Sequence, residues 1–387
     1  MKRCDIGVVG GGQLGKMLLM EGHRMGLTFA VLDPSDNCPA GVMAHEMIHG
    51  RFFDEASINR LAEKSLRLTY EFEHINAETL MKLEEGGCKV MPSAETLYMI
   101  QDKYRQNQRL DACGLPVSPY IKILEPADMN RAADLFGYPF LLKSRKGGYD
   151  GKGNAKVDGP EDLKDAFFAL GGDGASLMAE KFVNYQMEIS VIVARDHNGN
   201  TETFPVGQNI HKENILDMSI VPAPLPDTVL RQAQDLASDA MKQLKGIGIF
   251  CIEMFVDEAE NLLINEIAPR THNSGHYTIE ACNISQFGQQ IRAIMGWPLE
   301  KPKLFKPAVM LNLLGDPANT GAPVLEGISE AMQLGDVYPH LYGKTESRPG
   351  RKMGHVTILG ESREEALEKV EEVRRILKVK VAEEKLM

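Results

Sequence analysis

Glu253 and Glu266 lie on two apolar, β-type runs, IFCIEMFV and LLINEIA, joined by a polar turn at 257–260. A hairpin over this segment sets residue 253 opposite a partner between 264 and 266, depending on one residue of register, so the two carboxylates can converge. Like charges side by side in a sheet cost stability unless a cation lies between them. Glutamate oxygens suit Mg²⁺, which also takes phosphate oxygens and waters, and Asn265 can add another oxygen. Two solvated glutamates on an exposed hairpin would give the same pattern. The next segment, IAPRTHNSGHYTIEAC, argues against that, because it gathers Arg270, His272, Asn273, Ser274, His276 and Tyr277 into eight positions. A guanidinium, two imidazoles and an amide so close together suit an anionic, hydrogen-bonding substrate beside a metal.

A second set surrounds the loop RKGGYDGKG at 145–153, where Gly147, Gly148, Gly151 and Gly153 stand between two strand-like runs. Glycines let backbone amides approach phosphate oxygens without a Cβ in the way, and Lys143, Lys146 and Lys152 supply positive charge. No G-x-x-x-x-G-K-[ST] occurs, which excludes a Walker loop. A third glycine motif opens the chain. In IGVVGGGQLGKMLL, Gly10, Gly12 and Gly15 match G-x-G-x-x-G, and Asp33 follows eighteen residues later. That is the spacing of a dinucleotide site. A nicotinamide-dependent dehydrogenase would, however, leave the glutamate hairpin and the lysine-flanked loop without a purpose.

The elements that must hold these groups are readable in outline. Runs at 5–9 and 28–33 flank a helical stretch at 13–26, a βαβ opening, and RLTYEFEHI (67–75) and CKVMPS (88–93) add strands. A polar helix within 101–120 ends at Gly114 and Pro116. YPFLLKS and GNAKV flank the glycine loop; SLMAEKFV, QMEISVIVAR and ETFPVGQNI follow, and a helix near 227–245 precedes the hairpin. Prolines at 298, 302 and 307 mark a linker, and a final helix spans about 362–377, with Ala366, Val370, Val373 and Leu377 on one face. A chain of 387 residues predicts two or three domains. Its 43 basic and 54 acidic side chains give a net charge of −11, which disfavours nucleic acid as a partner. No apolar run reaches the roughly 18 residues of a membrane span. The six cysteines form no C-x-x-C pair, and a cytoplasmic location is expected.

Five motifs, GGGQLGKM, YEFEHI, KGGYDGKGN, NEIAPRTHNSGHYTIEAC and RPGRKMGHVT, occur in that order from residue 6 to about 360. Together they resemble the 5-(carboxyamino)imidazole ribonucleotide synthase family of the ATP-grasp superfamily. The resemblance implies an α/β and α+β architecture: an N-terminal Rossmann-like (pre-ATP-grasp) domain at 1–100, a two-lobed ATP-grasp domain at 101–300 and a small C-terminal domain at 301–387. The glycine-rich lid lobe would occupy about 115–183. The implied reaction joins bicarbonate to aminoimidazole ribonucleotide at the expense of ATP, through carboxyphosphate, in purine biosynthesis. A homodimer is expected on the same ground. The alternatives are another ATP-grasp ligase acting on a different amine and an inactive ATP-binding regulator.

The same likeness assigns roles. Glu253 and Glu266 would hold Mg²⁺ with Asn265 beside them, while Lys143 and the loop residues Gly148, Tyr149, Asp150, Gly151, Lys152, Gly153 and Asn154 cover the transferring phosphate. Glu180, Lys181, Phe182 and Val183 would face the adenine, Glu188 the ribose hydroxyls, and His211 would lie near the nucleotide. Arg270, His272 and Asn273 would hold bicarbonate or carboxyphosphate, with Asp150 and His272 as acid–base candidates. Gln13 and Leu14 would face the substrate, where helix N-terminal amides receive the ribonucleotide phosphate together with Lys344, Arg351 and Lys352. Glu73, Tyr149 and Asp150 would contact the ribose or imidazole. One departure stands out: relatives commonly show D-R-x-x-x-K where this chain reads DKYRQN. Lys103, assigned to ATP, thus lacks the planar fork of an arginine.

Overall fold

A computed structural model describes residues 2–148 and 153–382 of the chain. The N-terminal part is a five-stranded, all-parallel sheet in the spatial order Glu46–His49, Phe29–Asp33, Ile6–Val9, Arg67–Tyr70 and Lys89–Val90. Val8, Val9 and residues 29–32 are completely buried, as helices on both faces of a parallel sheet require. Helix Gln13–Arg24 follows the first strand directly, so its N-terminus sits at the carboxyl end of the sheet. The run 67–75 is a strand only to Tyr70; Glu71, whose N–H still donates to the Val9 carbonyl at 3.1 Å, points its carboxylate at the glycine turn.

Helix Lys103–Ala112, capped by Asp102, leads into a four-stranded antiparallel sheet. Its order is Tyr120–Ile123, Leu177–Lys181, Phe140–Ser144 and Asn154–Val157. Helices Pro126–Phe136 and Asp162–Ala169 close one face over Phe140, Leu142, Val157 and Phe167. The glycine loop joins the last two strands of that order; Tyr149, Asp150, Gly151 and Lys152 lie outside the described residues.

Beside a two-stranded sheet of Pro323–Glu326 and Lys378–Val381, a nine-stranded sheet forms most of the rest. From one edge it runs Leu262–Ala268, Gly248–Asp257, Tyr185–Arg195, Gly207–Lys212, Ile215–Val221, Ala308–Leu314, Lys352–Leu359 and Val337–Leu341, with Thr201–Thr203 paired on Tyr185–Arg195. The run 202–210 is thus two strands rather than one. Pro205 has no N–H to give a ladder, and its carbonyl accepts from Tyr277 Oη at 2.7 Å. Met218 pairs with Leu311, so the sheet continues across the proline-rich segment at 298–307. Helix Asp227–Leu244 buries Val229, Ala233, Ala237, Ala240, Met241 and Leu244 against one part of it. Helix Arg363–Ile376 buries Ala366, Val370 and Val373 against another, on the spacing visible in the sequence. Among the described residues no helix is long and apolar enough to cross a membrane.

Candidate active site

The three parts meet around a cleft of about 990 Å³. Its floor is the glutamate hairpin. Glu253 pairs directly with Glu266, and Met254 then pairs with Ile264, which leaves Asn265 as the extra residue of a β-bulge. A bulge breaks the strict alternation of side chains, so Asn265 and Glu266, neighbours in sequence, both line the cleft. The two carboxylates differ in their surroundings. Burial, then the charge of Glu266, pushes Glu253 up to about 7. Burial acts on Glu266 too, but Lys103, with Lys143 and Arg270, outweighs it and holds that carboxyl below the usual range. Lys103 Nζ lies 2.6 Å from Glu266 Oε1, whereas among the described residues Glu253 has only His272 Nε2, at 3.8 Å, as an ion-pair partner. A facing carboxylate pair with one member poorly compensated, beside an amide oxygen, fits a divalent cation.

Lys143 projects from Phe140–Ser144 and is 7% exposed. Its ammonium is paired with Glu180 from the adjacent strand, and the other Glu180 oxygen accepts from Asn107 Nδ2 at 2.9 Å. Glu180 is therefore the buried counter-ion of Lys143, not part of the cleft wall. Arg145, at the start of the glycine loop, forks onto Asp102 through Nε at 3.0 Å and Nη2 at 2.6 Å. The Lys103 amide donates to the Arg145 carbonyl at 2.9 Å, which ties the loop to the helix that carries Lys103. His211 Nδ1 lies 2.7 Å from Glu188 Oε2, and the pairing, despite burial, raises the imidazole and lowers the carboxyl. Tyr185 stacks on Phe255 with centroids 4.4 Å apart, both rings on the cleft wall.

The polar segment after the hairpin is held from behind. Asn273 and Asn312 exchange amide hydrogen bonds at 3.0 and 2.7 Å, and Gln286 brackets the His272 backbone, accepting from its N–H and donating to its carbonyl at 2.8 Å each. Arg270 is ion-paired with Glu73, Nη2 donating to Oε2 at 3.2 Å and Nε lying 2.9 Å from Oε1, which joins the central part to the N-terminal one. Burial, with Arg270 and Lys352 nearby, pushes His272 well below its ordinary value, so it is a neutral imidazole.

The opening glycine motif is filled from within. The Gly12 amide donates to Glu71 Oε1, and the Gly15 amide to Oε2 at 2.7 Å. A Cβ on Gly12 would lie 2.6 Å from that carboxylate, and one on Gly15 2.9 Å from the Gly10 carbonyl. Asp33 meanwhile accepts from the Gly11 and Ser35 amides at 2.9 and 2.8 Å. Asp33, the acid of the supposed cofactor site, and Glu71 beside it thus both bind the protein's own backbone. The amides at 12 and 15 are engaged within the protein and not open to a phosphate. Glu71→Gln puts an amide NH₂ against one of these donors, and we expect it to lower unfolding free energy by about 1–3 kcal/mol. A shift in denaturant midpoint at unchanged slope would show it. Wild-type protein is expected to leave NADH fluorescence unchanged.

Of the residues singled out in the sequence, Gln13, Leu14, Glu73, Lys103, Lys143, Gly148, Asn154, Phe182, Glu188, His211, Glu253, Asn265, Glu266, Arg270, His272, Asn273 and Lys352 line the cleft. Gly153, Glu180, Lys181, Val183, Lys344 and Arg351 do not. The Lys181 backbone is engaged, its N–H on the Pro119 carbonyl at 2.9 Å and its carbonyl accepting from Ser118 Oγ at 2.7 Å. Arg351 turns to Glu346, donating to its carbonyl at 2.8 Å. Lys344 lies behind Gln13 and Lys352, donating to Gln13 Oε1 at 2.7 Å and to the Lys352 carbonyl at 2.6 Å. Glu71, Arg145, Tyr185 and Phe255 were missed; the pair of acids in YEFEHI was the available signal for Glu71.

A two-lobed central part that closes a lysine, a glycine loop and a hairpin glutamate pair around one cleft defines an ATP-grasp enzyme. Family comparison agrees: residues 1–101 match the ribonucleotide synthetase preATP-grasp domain, 108–287 the ATP-grasp domain, and 308–369 the phosphoribosylaminoimidazole carboxylase C-terminal domain. The chain is 39% identical over 357 residues to an N5-carboxyaminoimidazole ribonucleotide synthase of Staphylococcus aureus, covering 92% of each chain. The crystal structure of the corresponding synthetase from Thermotoga maritima superposes with a TM-score of 0.89 at 41% identity, over 98% of this chain and 100% of that one. An Aspergillus clavatus synthase solved with ADP and 5-aminoimidazole ribonucleotide gives 0.89 at 31% identity, over 97% and 98%. The chain belongs to the N5-carboxyaminoimidazole ribonucleotide synthase family.

Proposed function

We propose that the cleft carboxylates 5-aminoimidazole ribonucleotide on its amine, using ATP and bicarbonate, in purine biosynthesis. The observation that carries this reading is the bulged hairpin, which presents Glu253, Asn265 and Glu266 to the same space as Lys143, Arg270 and Lys352. A bicarbonate oxygen attacks the γ-phosphorus and ADP leaves; the substrate amine then attacks the carbon of carboxyphosphate, phosphate leaves, and the nitrogen loses a proton. Glu253 and Glu266 would hold Mg²⁺ with Asn265 beside them, and the ion supplies charge neutralisation at the phosphates when bound. Lys143, rigid against Glu180, and Arg145, rigid against Asp102, supply positioned positive charge at little reorganisation cost. Arg270 and Asn273 orient the small anion, and His272, neutral, offers a lone pair rather than a charge. Gly148 and Asn154 frame the loop that keeps water from a hydrolysable intermediate.

The division at about 100 and 300, the roles of individual site residues, and a cytoplasmic homodimer belong to the same reading. Six unpaired cysteines suit a reducing compartment. The decisive assay is ADP release with Mg·ATP and bicarbonate, with and without the ribonucleotide. Strong stimulation by the ribonucleotide that depends on bicarbonate supports the reading; ATP cleavage indifferent to it moves the substrate to another amine.

Lys344 gives the substrate side a pH signature. Burial, then Arg351, Lys352 and Arg348, brings its ammonium down to about 8, against the opposing charge of Glu71. Below that value it is charged and adds to the potential that a substrate phosphate meets; above it that charge is lost. The KM for the ribonucleotide is expected to be flat below pH 8 and to rise above it, at most about tenfold per unit. Lys344→Met should raise KM at pH 7 and flatten the profile. A profile unchanged by the substitution would remove Lys344 from substrate binding.

A further inference from the structure

Beside the glutamate pair lies a donor set of a different kind. Cys251, Glu253 and His272 each place one potential ligand atom within 4.8 Å of the other two. Cys251 and Glu253 share a face of strand Gly248–Asp257, two residues apart, and His272 arrives from the loop after the partner strand. His272 Nε2 is 3.8 Å from Glu253 Oε1. Its other nitrogen is held by Ser274, with Nδ1 2.9 Å from Oγ and 3.4 Å from the backbone amide. The same hydroxyl lies 2.9 Å from Ser190 Oγ and 3.6 Å from Cys251 Sγ.

We propose that these three side chains form a binding site for a thiophilic divalent cation, Zn²⁺ or Co²⁺, distinct in ligand chemistry from the Mg²⁺ site. Sulfur, imidazole nitrogen and one carboxylate oxygen are the ligands such ions select, whereas Mg²⁺ takes oxygen alone. Three protein ligands leave a fourth, open position toward the cleft for water or a substrate oxygen. A metal on Nε2 requires the Nδ1–H form of His272, whose proton the Ser274 hydroxyl can accept at the cost of the long 3.4 Å hydrogen bond that Nδ1 now accepts from the Ser274 amide. Binding takes the thiol proton to solvent. Glu253 belongs to both sites, so the thiophilic ion excludes the full set of Mg²⁺ ligands and inhibits ATP cleavage. That inhibitory consequence rests on Glu253 serving Mg²⁺; the binding does not.

Co²⁺ is the probe, added to the purified full-length protein without nucleotide. The expected result is a near-ultraviolet thiolate-to-cobalt charge-transfer band with the visible bands of a four-coordinate ion, removed by added Zn²⁺. Cys251→Ala should lose the near-ultraviolet band while keeping Mg²⁺-supported turnover, and its half-inhibiting Zn²⁺ concentration should rise. Losing a ligand outright should exceed the roughly 10- to 100-fold that loss of an outer-shell partner costs. Cys251→Ser, nearly isosteric, serves if the alanine variant does not fold. A wild-type protein without the band overturns the proposal. So does a band that survives in both variants, which would assign the sulfur to half-buried Cys88 or Cys113, or equal inhibition of wild type and variant by Zn²⁺. If the band forms but the ribonucleotide never stimulates ADP release, the metal site stands and the functional reading fails. Normal turnover without the band overturns the metal site and leaves the functional reading standing.

Discussion

Glu266→Gln is expected to cut ribonucleotide-stimulated ADP release by roughly 10²- to 10³-fold while the protein stays folded. The carboxylate that Lys103, Lys143 and Arg270 hold ionised is the half of the pair that carries full charge at neutral pH. The amide keeps the shape and removes that charge, so the loss falls on the transition state, where phosphate charge is redistributed. Glu266 faces the open cleft, with 47% of its side chain accessible, so solvent softens the loss of its contact with Lys103. An unchanged far-ultraviolet spectrum and a small shift in melting temperature would accompany the kinetic loss. Near-normal turnover would remove Glu266 from the metal site.

Arg270→Ala is expected to cost about 10²-fold or more in kcat. Its effect has two parts that a lysine separates. The guanidinium meets Glu73, across the junction between the N-terminal and central parts, with an Nη2 hydrogen bond and a close Nε ion-pair contact, and only a planar group makes both. Lysine restores a positive charge but not the fork. If charge alone matters, Arg270→Lys returns most of the activity; if the fork positions the small anion against the amine, lysine returns little and both variants release ADP without matching carboxylated product. We expect the second pattern. Tight coupling of ADP to product in the lysine variant would argue that Arg270 acts by charge alone.

The sequence made the chemistry legible where a motif carries its own neighbours. The hairpin glutamates, the glycine loop and the polar run after Glu266 are local, and their residue types point to phosphate and metal at once. Register was not legible. Whether 253 faces 264 or 266 turns on a single inserted residue, and the pattern LLINEIA reads equally well with or without a bulge. YEFEHI failed for a related reason, since its alternation imitates a strand beyond Tyr70 while the Glu71 side chain answers to two amides 56 and 59 residues earlier. Lys143 and Glu180 were each visible, yet their partnership depends on antiparallel neighbours 37 residues apart and on Asn107 from a third element. Such long-range pairings are set by tertiary packing, and no window of sequence contains them.

The unbroken nine-stranded sheet has a consequence for anyone who would work with fragments. Met218–Val221 is paired along its length with Ala308–Leu311. A protein ended within the proline segment would keep the glutamate hairpin and the glycine loop, yet it would present that strand as a bare edge with its donors and acceptors free. Such an edge recruits whatever strand it meets, including the same strand of another copy. The shortened chain should therefore precipitate rather than give a smaller working enzyme, and co-expressing the missing strands should rescue it.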